Sequence, residues 1–525
     1  MYWALFVLLL IPVYKLSQVG KRRPRMPPGP PTIPILGNAL QIPTTGLAKK
    51  FREWADKYGP IYSLTIGPTN IIVPSDRKAI NQLLEKKGSI YSSRPHNYVT
   101  QYVTSGDHLT LEVVGPSWRE KRSVVTRNLN PKSLDEKHFK IQEAECIIDS
   151  RTLIFKNPDN MYDYSRLYTL SVASTLIYGK RVADIDSAWY KRFFELMNIW
   201  LELQEPGANP PIDEFPFLKY LPGYWKKRAD KCRRMMDKMW DDARQEIDER
   251  RAKGIQRDCF IDAKLDEYEE KGWPDWMTQH AFNNLWGELL EAGADTTANQ
   301  ILTLILALAK YPAFQKKAQA EIDAHCGTRR MPNFSDFNDL PYINCLVKEG
   351  MRWRPTAGTG LPHAVFLDDE YEGYLIPKDS MIFVPIWSLH HDPKQYPQPE
   401  EFNPDRYLNH PKLANEYAVS PDYNNRDDCL HHYGYGAGRR MCPGLHLAER
   451  NMWRIVAKLI WAFDITEPID DKTGNSIPLD EEAFTSAILT CPLPFNVRLT
   501  PRSNEHLAVV QKELAEAQSF MSNWE

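Results

Sequence analysis

Cys442 lies within the run Tyr435-Gly-Ala-Gly-Arg-Arg-Met-Cys-Pro-Gly444. Glycines at 434, 436 and 438 permit tight turns and close backbone approach to a flat ligand. From Leu445 to Phe463 apolar side chains recur at helical spacing. A thiolate just ahead of a helix is favoured by the positive end of that helix, and nearby amides can reach and tune its sulfur. Metal ligation is the chemistry such a group offers. A glycine-rich loop can also cradle phosphate or simply turn, but the Lys-Ser/Thr ending of a phosphate loop is missing here.

Three more constellations stand apart from the loop. Glu349 and Arg352 are three residues apart, so they share one helical face, an arrangement that by itself is an ordinary ion pair. Trp118 and Arg122 are four apart and could form a cation–π pair or part of a basic stripe. Ala292-Gly-Ala-Asp295-Thr296-Thr297 puts a glycine, an acid and two hydroxyls inside a long apolar stretch, which is poor composition for a helix interior. Such local conflict marks a kink, a functional site or mere tolerance.

The elements that must position these groups are mostly helical. Gln279 to Ala309 is the longest apolar-periodic stretch and reads as a core helix crossing the molecule. Glu143 to Leu153, Leu170 to Tyr178 and Lys226 to Arg250 also read as helices, and Pro206 to Pro222 as a loop with short turns. Ile61 to Ile66 and Asn70 to Pro74, split by Gly67-Pro68, give a hairpin signal. Strand-like runs return at His363 to Leu367 and Met381 to Pro385. The expected class is mainly α with a smaller β portion.

The cysteine loop resembles the haem-binding signature of the cytochrome P-450 superfamily. That signature has an aromatic residue seven before the cysteine, glycine four before, arginine two before and glycine two after. Tyr435, Gly438, Arg440 and Gly444 take those places, Tyr435 standing where Phe is usual. The resemblance extends over nearly the whole chain and implies haem b with Cys442 as the axial thiolate ligand of its iron. It implies that Trp118, Arg122, His363 and Arg440 face the haem carboxylates. Glu349, Arg352 and Arg406 become a buried structural trio. Thr296 steadies dioxygen on the distal side and Asp295 carries protons inward. At Pro377-Lys-Asp379 the chain departs from the pattern, which often has Gly after the Lys.

The implied activity is insertion of one oxygen atom of O2 into an apolar organic substrate. Electrons come from NADPH through NADPH-cytochrome P-450 reductase, with cytochrome b5 as a further possible donor. The loop and the Trp353-Arg-Pro355 run look most like filamentous-fungal members, many of which act in secondary metabolism. Oxidative coupling, desaturation and an O2-independent isomerase or dehydratase are alternatives on the same haem, and a haem sensor a more remote one. Apolar stretches at 98–114, 196–220, 283–297, 356–362 and 484–488 are expected to line the substrate pocket.

Bulk composition fits a globular protein. A net charge of -3 over 525 residues argues against a nucleic-acid binder. The 8 cysteines are scattered, too few for a disulfide scaffold in so long a chain. Residues 1–20 open with a charge-free apolar run and precede the basic cluster Lys21, Arg22, Arg23 and Arg25. That order reads as a membrane anchor, with the basic side in the cytosol. Its likeness to microsomal members places the chain at the endoplasmic reticulum membrane with its catalytic domain facing the cytosol. The expected organisation is an anchor over 1–20, a basic and proline-rich hinge over 21–34, one haem-thiolate domain over 35–503 and a C-terminal extension over 504–525.

Overall fold

The computed structural model describes residues 18–155, 160–410, 413–414 and 432–525. The architecture is mainly helical with a small β portion, as the periodicities require. Its axis is the central helix Gln279–Lys310, 32 residues or about 48 Å long. Thr278 caps its start by accepting from the Ala281 amide. The helix is buried on nearly all sides because other helices surround it, and it carries buried polar groups such as Glu288, Glu291 and Asp295 among its apolar residues. Met161–Tyr178 packs along it most extensively, and Leu445–Ala462 and Pro341–Trp353 cross it on other faces. Both Pro116–Asn128 and Pro341–Trp353 begin on a proline, where its missing N–H costs nothing. Met161–Tyr178 stops at Gly179, which takes the left-handed conformation with φ 67°.

Among the described residues, eight short strands complete the fold. β1 (Ile61–Ile66) and β2 (Thr69–Pro74) form the expected hairpin, with Ile66 opposite Thr69. β3 is His363–Ala364, β4 Asp369–Tyr371, β5 Tyr374–Ile376, β6 Met381–Ile382, β7 Phe463–Thr466 and β8 Arg498–Pro501. The main sheet has the order β1-β2-β6-β3, so a late segment closes onto an early hairpin. β3 and β6 are shorter than their apolar runs suggest. Between them Asp379 has φ 62°, a left-handed turn position that explains why glycine is common there in the resembling pattern.

Asn504–Met521 is a helix whose Val510, Leu514, Ala517 and Met521 are buried, at spacings of four, three and four. This apolar stripe packs on Phe139–Phe155. The Arg181 amide and the Arg257 guanidinium both donate to the Trp524 carbonyl, each at 2.9 Å.

The expectation of a membrane anchor over 1–20, and with it of a transmembrane protein at the endoplasmic reticulum, is corrected. Residues 1–17 lie outside the described residues, and among the described residues no helix is long and apolar enough to cross a membrane. What is described of that N-terminal stretch turns inward. The Gly20 amide donates to the Gly67 carbonyl and Val19 accepts from the Ile35 amide, each at 2.9 Å. Arg22, from the basic cluster, donates to Ser63 Oγ at 2.9 Å and to the Pro30 carbonyl at 2.7 Å. The proline-rich segment is fixed to the β1 edge as well, since the Ser63 amide donates to the Pro28 carbonyl at 2.7 Å.

Candidate functional site

The cysteine loop is built by backbone necessity. The Cys442 amide donates to the Tyr435 carbonyl at 2.9 Å, closing the loop on itself. Gly438 has φ 67° and donates its amide to Glu85 Oε1 at 2.7 Å. A Cβ at 438 would meet the Leu84 carbonyl oxygen at 2.4 Å. The glycine is therefore demanded by neighbouring backbone, whereas the sequence pointed to close approach of a flat ligand. Gly444 caps the helix Leu445–Ala462, and the Cys442 sulfur sits at that helix N-terminus. Burial pushes the Cys442 thiol up, opposed by the amides of Gly444 and Leu445 and by the Arg122 guanidinium. The Tyr435 ring is buried, and its hydroxyl has no hydrogen-bond partner among the described residues.

The other cysteines have a different environment. Cys146, Cys232, Cys259, Cys326, Cys345 and Cys491 are all buried. Burial pushes the thiols of Cys259 and Cys345 up to about 12. Cys429 lies outside the described residues.

Around the loop the structure gathers arginines. The Arg440 guanidinium stacks on Trp118 with its carbon 4.1 Å from the ring centroid. It also donates to the carbonyls of Ser92 at 2.7 Å and Glu112 at 2.6 Å. Arg122 donates to the Met441 carbonyl next to Cys442. A third arginine, Arg94, donates to the carbonyls of Thr110 at 2.8 Å and Pro362 at 2.6 Å. Burial and the neighbouring guanidinium groups lower Arg94 to about 10 and Arg440 to about 9. His363 Nδ1 lies 2.8 Å from the Tyr91 carbonyl and must carry the hydrogen. Burial, with Arg94 and Arg440 adding to it, holds His363 down at about 3, so the ring is neutral. Arg94 was missed in the sequence because it sits in no spaced pair; only an arginine next to proline in Ser93-Arg-Pro95 hints at it.

Glu349, Arg352 and Arg406 lie together. Arg352 donates to both Glu349 oxygens, at 2.7 and 2.8 Å, and both side chains are 0% exposed. Arg406 Nε is 3.4 Å from Glu349 Oε1, which also accepts from the Asn403 amide at 2.7 Å. Arg352 spends its remaining donors on the carbonyls of His390, Pro399 and Glu401. The pair is thus fully satisfied, which a buried ion pair requires.

Asp295 and Thr296 are not brought into contact with each other. The central helix runs unbroken through Ala292–Thr297. The Thr296 hydroxyl donates to the Ala292 carbonyl at 2.7 Å, as helical threonines commonly do. Asp295 points elsewhere, with Arg166 Nε at 3.5 Å and Asn299 Nδ2 at 3.4 Å. Burial raises its carboxyl, Arg166 and Asn299 pulling the other way. Ala292 is exposed although Glu291 and Ala294 beside it are buried, so the helix surface has an opening here.

A cavity of about 460 Å³ opens toward the sheet side and takes in Leu111, Gln204, Leu361 and Phe484. Four of the five expected stretches contribute to it, and 283–297 does not. Ile42–Phe51 and the sheet residues Met381 and Phe383 line it too, unsignalled by the sequence.

These residues fit a flat, doubly acidic iron porphyrin. A cysteine sulfur sits at a helix N-terminus, and buried Arg94 and Arg440 with half-buried Arg122 gather beside it, Arg94 and Arg440 under guanidinium repulsion, a charge that two carboxylates would offset. The fold and the site define a haem-thiolate oxygenase. A sequence profile described as cytochrome P450 matches residues 27–494, and the chain belongs to that family. It is 39% identical to cytochrome P450 monooxygenase acuD of Aspergillus aculeatus, over 98% of this chain and 96% of the relative. It is 39% identical to cytochrome P450 monooxygenase patI of Aspergillus clavatus, over 97% and 95%. With cytochrome P450 monooxygenase yanC of Aspergillus niger it shares 38% over 94% and 93%. The protein is therefore a monooxygenase whose cofactor is haem b held by a cysteine thiolate, and its family works with an NADPH-cytochrome P450 reductase on small molecules.

Proposed function

We propose that this monooxygenase inserts oxygen into an apolar organic substrate of fungal secondary metabolism, with Cys442 as the thiolate. The observation that carries the reading is the pairing of Cys442, at the start of Leu445–Ala462, with buried Arg94 and Arg440 and half-buried Arg122. Bound haem with its thiolate supplies the reductive activation of O2. Arg94, Arg122 and Arg440 hold its carboxylates, while Trp118 keeps the Arg440 plane in place. Neutral His363 contributes a ring nitrogen and no charge to that set. Glu349, Arg352 and Arg406 brace the loop segments below. Tyr435, Gly438 and Gly444 shape the path of the chain to the sulfur.

Thr296 acts through its acceptor side. Its proton is committed to Ala292, so its oxygen offers lone pairs to a proton-bearing group in the opening. Asp295 is a buried carboxyl that holds a proton more readily than an exposed one, with half-buried Arg166 on its solvent side. It passes protons inward from there. The electrons come from the reductase, with cytochrome b5 as a second donor. The haem domain of the reading spans 35–503, and 504–525 is an appended helix.

The reduced, CO-bound spectrum tests the ligand. A band near the position of thiolate-bound haem is expected, together with NADPH- and reductase-dependent formation of an oxygenated product. A spectrum typical of histidine-ligated haem would defeat the assignment.

A further inference from the structure

The loop between Tyr98–Thr104 and Pro116–Asn128 is held between opposite charges. On one side its carbonyls accept from arginines: Thr110 from Arg94 Nε at 2.8 Å, Leu109 from Arg440 Nη1 at 3.3 Å and Glu112 from Arg440 Nη2 at 2.6 Å. On the other side its amides donate to one carboxylate of the central helix. Leu109 N reaches Glu288 Oε2 at 2.6 Å and Thr110 N reaches Oε1 at 2.7 Å, and the Thr110 hydroxyl donates to Oε1 as well. Glu288 is buried, and among the described residues no lysine or arginine comes within 4 Å of its carboxylate. Its only ion-pair neighbour there is His108, whose Nδ1 is 3.1 Å away and whose Nε2 faces Glu291 at 3.5 Å.

One peptide makes the connection explicit. The carbonyl of Leu109 and the N–H of Thr110 belong to the same planar trans unit and point in opposite directions. The first faces Arg440 and the second faces Glu288. The peptide dipole is therefore aligned from carboxylate to guanidinium, and each end makes a charge-assisted hydrogen bond. Glu288 also opposes the burial that lowers Arg94, Arg122 and Arg440 and the guanidinium repulsion that adds to it at Arg94 and Arg440. Nothing in the oxygen chemistry uses Glu288, yet burying an acid whose only ion-pair neighbour among the described residues is a histidine is costly.

We propose that Glu288 is a positioning residue for the cofactor: through the peptides of residues 108–110 it fixes Arg94 and Arg440 where they meet the two haem carboxylates, and it supplies their internal counter-charge. The proposal rests on the haem reading given above. Partners one shell out from a cofactor commonly change its retention about 10- to 100-fold.

The test uses full-length holoenzyme. Glu288→Gln keeps the size and one acceptor but removes the charge. Haem transfer to apomyoglobin should quicken about tenfold. The haem reduction potential should rise, because a negative charge that favoured the oxidised form is gone. Glu288→Asp should bring the potential back toward the parent value. The reduced-CO band should stay in place, since Cys442 is untouched. Faster release at an unchanged potential would reduce Glu288 to a packing role and overturn the proposal, as would unchanged values of both. If Glu288→Gln does not fold, Thr110→Val removes only the hydroxyl contact and should quicken release about threefold, one hydrogen bond's worth; an unchanged rate there overturns the proposal too. A parent protein lacking the thiolate band would instead sink the haem-thiolate reading, a separate and recognisable failure.

Discussion

Replacing Gly438 by alanine separates two costs that sequence patterns merge. At φ 67° the added methyl sits in left-handed backbone, which costs an L-residue about 1–2 kcal/mol. It also lands 2.4 Å from the Leu84 oxygen, where real contacts stay beyond 3.0 Å. Either Leu84 or the cysteine loop must yield by about 0.6 Å. Leu84 is buried, and the Gly438 amide is tied to Glu85, so the shift strains a packed segment at about 1–3 kcal/mol. The total is about 2–5 kcal/mol. Gly436 is the control: its φ is 79°, but nothing lies within 4 Å of its added methyl. Gly436→Ala should cost only the conformational part, about 1–2 kcal/mol. The assay follows tryptophan fluorescence and the reduced-CO band through a urea titration of both variants and the parent. Gly438→Ala should lose the band at clearly lower urea than Gly436→Ala. Coincident midpoints would show that the loop accommodates the methyl freely and refute the backbone argument.

Four further outcomes are expected. Cys442→Ser should abolish the red-shifted CO band, whereas single replacement of Cys146, Cys232, Cys259, Cys326, Cys345 or Cys491 should leave it, as absorption spectra of each variant will show. Arg352→Met leaves buried Glu349 with only the longer contact to Arg406 and the Asn403 amide and should destabilise by about 3–5 kcal/mol, read from the yield of folded holoenzyme and its urea midpoint. Thr296→Ala should keep the haem but lower product formed per NADPH, with peroxide rising, and Asp295→Asn should slow turnover; an unchanged ratio with two dissimilar substrates would leave Thr296 only its bond to Ala292. Asp336 is pushed up by burial, but Arg330, the Asn333 amide and His325 outweigh this and hold it at about 2. Its folded value lies below its unfolded one, so its contribution is present above about pH 4 and is lost as pH falls toward 2. Asp336→Asn should flatten that part of the acid-unfolding curve.

Local chemistry was legible in the sequence where it depends on short spacing. The cysteine loop, the Glu349–Arg352 pair and the hairpin each need residues only a few positions apart, and their geometry follows from helix or strand periodicity. Asp379 shows the same from the other side: a missing glycine in the sequence became a left-handed aspartate in the structure. Arg94, His108 and Glu288 were not legible, because each works with partners far along the chain and none repeats at a telling interval. Thr296 and Asp295 were found by motif, yet adjacent positions on a helix point in different directions, and only coordinates separate a hydroxyl bonded to Ala292 from a carboxyl facing Arg166. The apolar N-terminal run looked like an anchor by composition; the turn at Val19–Gly20 and the inward Arg22 depend on a docking surface that composition does not encode.

The late closure of the sheet bears on how the protein is made. β2 cannot pair with β6 until residue 382 has been synthesised, and Arg440 reaches the Ser92 carbonyl across 348 positions. Contacts this distant in sequence form slowly and late. A nascent chain therefore carries Arg94 without its partners Leu361 and Pro362, and the 108–112 loop without Arg440, for most of translation, and cofactor capture falls after the ribosome has released nearly everything. In a host short of haem, the chains that accumulate would be complete but unfilled, with the loop at 108–112 and the cysteine loop open to proteases together.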